Sequence, residues 1–524
     1  VDETSPPALP PSISIEESFM RKSLHHGALG ICLFVLPGLC SVVPLAAQLQ
    51  ANNVIVIDAG APAHPFPHFW EEMFGSGRAI LALRESYRND LREVKQITGF
   101  EYVRFHGILH DEVGVYDEDA QGNAVYNFSY VDQIYDGLLA SGVRPFVEIS
   151  FMPKKLAAHD LPHAFWYRQN ISPPKDYAKW DALIGRFTQH LVDRYGIDEV
   201  AQWYFEVWNE PNLDFWGGDP RQATYWDLYD HTARAVKAVN PRLRVGGPAT
   251  AQAAWADEFI KHCVDQNVPV DFVSSHVYGN DPPKPVFGTD AEIPRDKMVC
   301  RAVKKVHDQI AASARPQLPL IWSEFNASYA NEPAVTDAVY MGPWLADTIR
   351  QCDGLVDMMS YWTFSDVFEE QGVVKEPFYG GFGLLAEDGI PKPAFAAFEI
   401  LHHLGDERVA LDSDTALVTR RKDGSLVVAV WNYAPPEKAG AAETVTLRFK
   451  GTTIQHASIS RVDAEHGDVH SLYEKMGAPR YPTQAQIVAL RQAAQLPAAE
   501  GRELRNGELT LTLPTYGLAV IELK

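Results

Sequence analysis

From residue 69 onward the chain alternates two rhythms. Short apolar runs rich in β-branched and aromatic side chains are followed by longer stretches whose apolar positions recur every three to four residues. The short runs read as strands buried on both faces, the longer stretches as amphipathic helices packed over them. The strands fall at 69–73, 102–105, 144–150, 203–208, 244–247, 272–276, 320–323 and 358–363. The helices between them include 83–98, 130–141, 177–195, 223–239 and 338–352. Eight strands with intervening helices specify an α/β fold, a (β/α)8 TIM barrel over 68–404. Chemistry in such a barrel belongs at the C-terminal ends of the strands.

The rhythm changes after Gly405. Runs at 416–420, 426–432, 444–449, 457–462, 509–513 and 518–523 alternate with turn residues and carry no long helical period. They predict a C-terminal β-sandwich domain over 405–524. The Ala- and Gln-rich segment 484–499 interrupts them as a helical insertion. Ahead of the barrel, 53–59 alternates as a strand and 61–67 is a Pro-rich linker, so 48–67 stands outside the barrel.

The first 47 residues follow neither rhythm. Residues 1–19 are acidic and Pro-containing, a composition of disorder or of an upstream extension. Met20-Arg21-Lys22 then opens an apolar run that is broken by Pro37-Gly38 and ends at Ala46-Ala47. Cations, an apolar core and small terminal residues make 20–47 a signal peptide, and the expected location secreted or periplasmic. The run is also long enough to be an anchor, but its central Pro-Gly and Ala-rich end favour removal, leaving no stable membrane insertion.

Composition narrows the chemistry. A formal charge of −22 excludes the basic surface that nucleic acid requires. Cys263, Cys300 and Cys352 have no paired spacing, so buried free thiols are expected, with no disulfide framework and no structural metal. No cofactor signature is present.

Two strands end in a glutamate beside aromatic rings and amides: Trp203-Tyr-Phe-Glu-Val-Trp-Asn-Glu-Pro-Asn212 and Leu320-Ile-Trp-Ser-Glu-Phe-Asn326. Pro211 cannot donate to a ladder, which puts Glu210 at the end of its strand. Aromatic surroundings raise a carboxyl pKa by desolvation and suit it to acid work near neutral pH. Glu210 and Glu324 stand 114 residues apart (324 − 210), room for about three βα units, which places them across the barrel mouth from each other. Two facing carboxyls are the minimum equipment of glycoside hydrolysis.

Val103-Arg-Phe-His-Gly-Ile-Leu109, Trp208-Asn-Glu-Pro-Asn212 and Ser323-Glu-Phe-Asn326 together resemble glycoside hydrolase family 39, a family of clan-A retaining enzymes with β-xylosidases and α-L-iduronidases. The resemblance runs in order from about Phe69 to the C-terminus. It implies Glu210 as acid/base and Glu324 as nucleophile. It also implies Asn209 on the sugar 2-hydroxyl, a neutral His106 on another hydroxyl, and His276 or Tyr278 holding the nucleophile or the sugar. Glu369 and Glu370 would bind hydroxyls, and the strand at 53–59 would pair into the sandwich.

From position, Trp362 at the end of the eighth strand is a floor for a pyranose face, and Phe151 and Tyr329 are candidate walls. His106 and His110 have i, i+4 spacing, but a metal pair at that spacing needs a helix, and Gly107 argues for a loop; His110 is expected to be solvent-exposed.

The resemblance implies a retaining exo-glycosidase acting on β-D-xylosides and xylo-oligosaccharides. Gly75-Ser-Gly-Arg-Ala-Ile-Leu-Ala-Leu-Arg84 looks like the xylosidase branch. An α-L-iduronide, another pentoside or a hexoside is the alternative within enzymes. A uronate carboxylate would call for a cation such as Arg78 or Lys375. A secreted carbohydrate-binding protein is the alternative outside enzymes, disfavoured by the intact glutamate pair.

Overall fold

The computed structural model describes residues 53–524. The expected N-terminal extension and signal segment, with Cys32 and Cys40, lie outside the described residues. No described helix is long and apolar enough to cross a membrane.

Eight parallel strands close a barrel in chain order: Met73–Ser76, Tyr102–Phe105, Arg144–Ile149, Tyr204–Val207, Arg244–Thr250, Phe272–His276, Leu320–Phe325 and Met358–Tyr361. We number them one to eight. Period-2 alternation decides what each strand sends inward. The lowest inward layer is apolar: Met73, Tyr102, Phe146, Phe272, Ile321 and Met358 pack as a plug, with Tyr204 against them. Two residues further up each strand the sequence turns small or polar, at Gly75, Arg104, Glu148, Glu206, Ser274, Ser323 and Ser360. The barrel is thus a sealed apolar base carrying a polar layer toward its C-terminal end.

Strand one begins at Met73, later than the apolar run at 69–73 suggests. Phe69 and Trp70 are buried before the strand, with Phe69 packed edge to face on both Phe66 and Trp70. The true strand, Met-Phe-Gly-Ser, reads as a turn because of its small residues. Three helices beyond those named above, Ala256–Asp265, Arg295–Ala311 and Pro393–Leu401, complete the outer ring.

Cys300 and Cys352 form a disulfide between the adjacent helices Arg295–Ala311 and Met341–Cys352, which corrects the expectation of free thiols. The two residues are 52 apart in sequence. Neighbouring helices of the ring bring them together, a proximity with no local spacing to reveal it. Cys263 is a buried free thiol.

The C-terminal part pairs two sheets. Seven strands, in the order Ala63–Pro65, Glu407–Val409, Ala416–Arg420, Leu426–Trp431, Leu518–Leu523, His456–Val462 and Glu500–Glu503, face three, Asn53–Asp58, Glu443–Lys450 and Glu508–Leu513. Ile55, Ile57, Val418, Val428, Leu447, Leu511 and Ile521 fill the space between. Strand Asn53–Asp58 runs parallel to Glu443–Lys450, with Ile55 opposite Leu447. The Pro-rich linker is partly strand: Ala63–Pro65 takes the sheet edge, where a residue without an N–H is tolerated.

The other face of the large sheet packs on the barrel. Val427, Ala429, Trp431, Leu518 and Val520 share one core with Met341, Trp344 and Phe398. The insertion forms helix Gln484–Ala494, started by a Thr483/Gln486 capping box, and lays Ile487 and Leu490 against Phe378 and Ile390.

Candidate active site

The polar layer is organised by Arg104, which is fully buried. Its Nε donates to Glu206 Oε2 at 2.6 Å, Nη1 to Glu324 Oε1 at 2.6 Å, and Nη2 to Asn209 Oδ1 at 2.9 Å. Nη2 also lies 2.8 Å from Glu148 Oε2. One planar fork therefore sets the places of three carboxyls and an amide, which a point-charge ammonium cannot do. Sequence reading missed Arg104, Glu148 and Glu206. The available signal was a charge at the second inward position of three otherwise apolar strands.

Glu324 ends strand seven and accepts a second hydrogen bond, from Tyr278 Oη to Oε2 at 2.6 Å. The register shifts between Trp322 and Phe325 against strand eight, so that both Ser323 and Glu324 reach inward. Glu210 lies past strand four on a backbone turned through positive φ at Trp208 (73°) and Glu210 (44°), and its N–H donates to Ala249 O. A side chain at such a φ is sparsely populated and needs the surroundings to hold it. An oxygen of Glu210, an oxygen of Glu324 and a ring nitrogen of His276 all lie within 4.8 Å of one another. Burial first, then the charges of Glu324 and Asp281, push the Glu210 carboxyl well above its ordinary range. These causes favour the protonated form of Glu210, the form that an acid must hold.

His276 is fully buried and touches the acid rather than the cavity. Burial holds its pKa well below 6.5, so the ring is neutral. Its Nε2 is 3.0 Å from Ser323 Oγ, and that hydroxyl spends its own proton on Glu206 Oε1 at 2.6 Å. Ser323 must then accept, which puts the ring proton on Nε2. Nδ1 is left as an acceptor, 3.1 Å from Glu210 Oε1 and matched to a protonated carboxyl. The chain Glu210–His276–Ser323–Glu206–Arg104–Glu324 links the two glutamates through the barrel interior.

His106 faces the cavity, as expected of a group meant for a sugar hydroxyl. Burial works against its charge, but Glu148, 2.7 Å from Nδ1, together with Glu324 raises the pKa above its ordinary value. Nε2 faces the cavity, 3.9 Å from Glu324 Oε1 and 3.6 Å from Glu370 Oε1. Burial, opposed by His106, brings Glu370 to about 8. Glu369 points elsewhere: Arg78 and Arg84 hold its carboxylate at 2.9 and 2.6 Å, so it takes no part in the cavity. Phe151 is also withdrawn, fully buried behind His106 with its ring 6.0 Å from the imidazole and 5.5 Å from Trp208. His110 is mostly buried beside Glu112 and Tyr167 rather than free in solvent.

The cavity, of about 200 Å3, is lined by His106, Asn209, Glu210, Tyr278, Glu324, Tyr329, Trp362 and Glu370, joined by Phe165, Phe215, Gln371 and Phe382. The last four come from loops without strand context and were not anticipated. Tyr329 stands half-exposed at the rim, edge-on to Tyr278 at 6.2 Å.

Trp362 forms the floor, 4.8 Å from the His106 ring and over the Arg104 guanidinium at 5.8 Å. It occupies the space a side chain on Gly75 would need: a Cβ there would lie 2.0 Å from the indole. Gly75→Ala should therefore tilt Trp362 into the cavity. We expect kcat/KM to fall about 10²-fold, the usual cost of an ångström-scale misplacement. The far-ultraviolet circular dichroism should be unchanged. Wild-type kinetics in that variant would show that Trp362 is not the floor.

The family description "Glycosyl hydrolases family 39" matches residues 53–510. A β-xylosidase of Geobacillus stearothermophilus is 40% identical over 475 residues, covering 88% of this chain and 93% of the relative. A β-xylosidase of Caldicellulosiruptor saccharolyticus is 35% identical, covering 89% and 97%. The crystal structure of a monomeric β-xylosidase from Caulobacter crescentus superposes with a TM-score of 0.82 at 35% identity, covering 90% of this chain and 99% of that one.

Proposed function

Because the chain belongs to glycosyl hydrolase family 39, and its site carries two glutamates in reach of one sugar, we propose that this glycoside hydrolase is a retaining exo-β-xylosidase. It removes terminal xylose from short xylo-oligosaccharides by double displacement. The observation that carries the reading is that an oxygen of Glu210 lies within 4.8 Å of an oxygen of Glu324, which favours the closer of the two spacings that glycosidases use. Retention needs carboxyls about 5 to 5.5 Å apart, whereas inversion needs roughly 6.5 to 9.5 Å to admit a water. A cavity of about 200 Å3 is below the roughly 300 Å3 at which pockets for larger ligands begin. That size supports one sugar ring, and so exo action.

In the first step Glu324 attacks the anomeric carbon while Glu210 passes its proton to the leaving oxygen. Arg104 and Tyr278 keep the Glu324 oxygens aimed at the sugar. Bond formation removes the Glu324 charge, and with it one of the causes that hold the proton on Glu210. Glu210 then acts as base toward the incoming water, and once it has taken that proton it again has a hydrogen to share with His276 Nδ1. Asn209, fixed by Arg104, and the cavity-facing Nε2 of His106 are placed for sugar hydroxyls, with Trp362 beneath the ring. The xylose reading draws on the β-xylosidase relatives. An α-L-iduronide is disfavoured, because no Lys or Arg lines the cavity itself among the described residues, and Lys375 lines only the adjoining pocket that shares Glu370, Gln371 and Phe382 with it. Arg78 is tied to Glu112 and Glu369.

Glu210→Ala should separate substrates by leaving group. We expect a loss of at least about 10²-fold on xylobiose, whose leaving oxygen needs a proton. On dinitrophenyl β-D-xyloside the first step should change little, and azide should restore turnover. Proton NMR of the first product should show the β-anomer. Equal losses on both substrates would remove Glu210 from the acid role, and an initial α-anomer would overturn retention.

A further inference from the structure

At the N-terminal end of the barrel, away from the cavity, two imidazoles converge on one carboxylate. His68 Nδ1 lies 2.6 Å from Glu71 Oε1, and His402 Nδ1 lies 2.8 and 3.0 Å from Glu71 Oε1 and Oε2. One ligating atom from each of the three falls within 4.8 Å of the others. The Glu71 side chain is 1% exposed, His68 22% and His402 44%. The first two are held from behind. His68 stacks on Trp70 at 4.4 Å, and Trp70 packs at a tilt against Phe66 at 5.2 Å. Gly99 backs Glu71, where an added Cβ would lie 3.4 Å from the carboxylate. His402 meets the His68 ring edge-on at 6.0 Å.

We propose that His68, Glu71 and His402 bind a divalent transition metal with the ligand preferences of zinc. Two imidazole nitrogens and one carboxylate oxygen are a known zinc donor set, and the half-exposed side of His402 leaves the fourth position to water. Metal–ligand bonds of about 2.0 to 2.2 Å put neighbouring donors of a tetrahedron roughly 3.3 Å apart. The present nitrogen–oxygen spacings, 2.6 Å at His68 and 2.8 Å at His402, must open by about half an ångström or slightly more, through small movements of the two partly exposed imidazoles.

The site is built from the segment entering strand one and from the residue just after helix Pro393–Leu401, the last helix of the barrel. A metal there ties the beginning of the barrel to its end. It is a structural clip, separate from the glutamate pair.

Metal-stripped full-length protein is titrated with zinc chloride by calorimetry and in thermal melts. We expect one zinc per chain, and a midpoint rise of about 2 °C or more at saturation. His68→Ala and His402→Gln should each weaken binding at least about tenfold and abolish the rise. His402→Gln is half-exposed and keeps a hydrogen-bonding partner for Glu71, so it should fold. Its hydrolysis in metal-free buffer should equal that of the wild type. Glu210, His276 and Glu324 also gather ligating atoms, so zinc inhibition of hydrolysis is read in parallel. Absence of zinc uptake by the wild type, or uptake and midpoint rise unchanged in His402→Gln, overturns the proposal and leaves a hydrogen-bonded triad.

Discussion

Glu324→Gln should cut kcat/KM on an aryl β-D-xyloside by on the order of 10³-fold or more, about 4 kcal/mol at 1.36 kcal/mol per tenfold. The substitution keeps the shape but removes the attacking charge. It also turns one acceptor oxygen into a donor, facing either Arg104 or Tyr278, both of which donate. A second readout separates this from simple misfolding. Glu324 is the largest contributor after burial to the raised pKa of Glu210, so losing its charge lowers that pKa. The acid form of Glu210 is the active one, and activity is lost as pH rises through its pKa. The alkaline limb of the residual pH–rate profile should therefore move to lower pH. In the wild type, a 2-deoxy-2-fluoro xyloside with a good leaving group should label the peptide containing Ser323-Glu324-Phe325. Label on another carboxylate would reassign the nucleophile.

Arg104→Met should be the most destabilising single substitution in the polar layer. It leaves Glu148, Glu206 and Glu324 buried without their shared cation. Breaking one buried pair by removing a partner typically costs about 3 to 5 kcal/mol, and here three pairs are broken at once. Urea unfolding should show a loss at or above the upper end of that range. Arg104→Met combined with Glu206→Gln should recover part of it. Arg104→Lys should recover little, since one ammonium cannot meet four acceptors in a plane. A thermal midpoint within about 1 °C of the wild type would mean that the layer tolerates its charges without the fork.

The barrel was legible because its strands are buried on both faces and write themselves as apolar runs. Strand one was misplaced by the same rule, since Phe69 and Trp70 are more apolar than the Met-Phe-Gly-Ser that forms the strand. There the demand of Trp362 for the space beside Gly75 overrides strand propensity. Glu210 and Glu324 could be picked out by their place at strand ends. Arg104, Glu148 and Glu206 could not be told from errors in an apolar pattern until the inward layers were aligned across neighbouring strands. Glu369 and Glu370 look equivalent in sequence. Glu369 takes a positive φ of 68°, and the two carboxyls part, one to Arg78 and Arg84 and the other to the cavity. The Cys300–Cys352 bond depends on how helices neighbour each other in the ring, which no local spacing encodes.

The parallel pairing of Asn53–Asp58 with Glu443–Lys450 sets a schedule for the ribosome. Ile55 cannot reach Leu447 until roughly 390 more residues have been made, which at about 5 to 20 residues per second is roughly 20 to 80 s of synthesis. The barrel can close only once its eighth strand, Met358–Tyr361, has been made, still well before Leu447, while an alternating β-strand waits without its neighbour. An unpaired strand of that kind is a template for the wrong partner. Expression yield should then depend more on elongation speed and on holding chaperones near the N-terminus than on the stability of the finished fold.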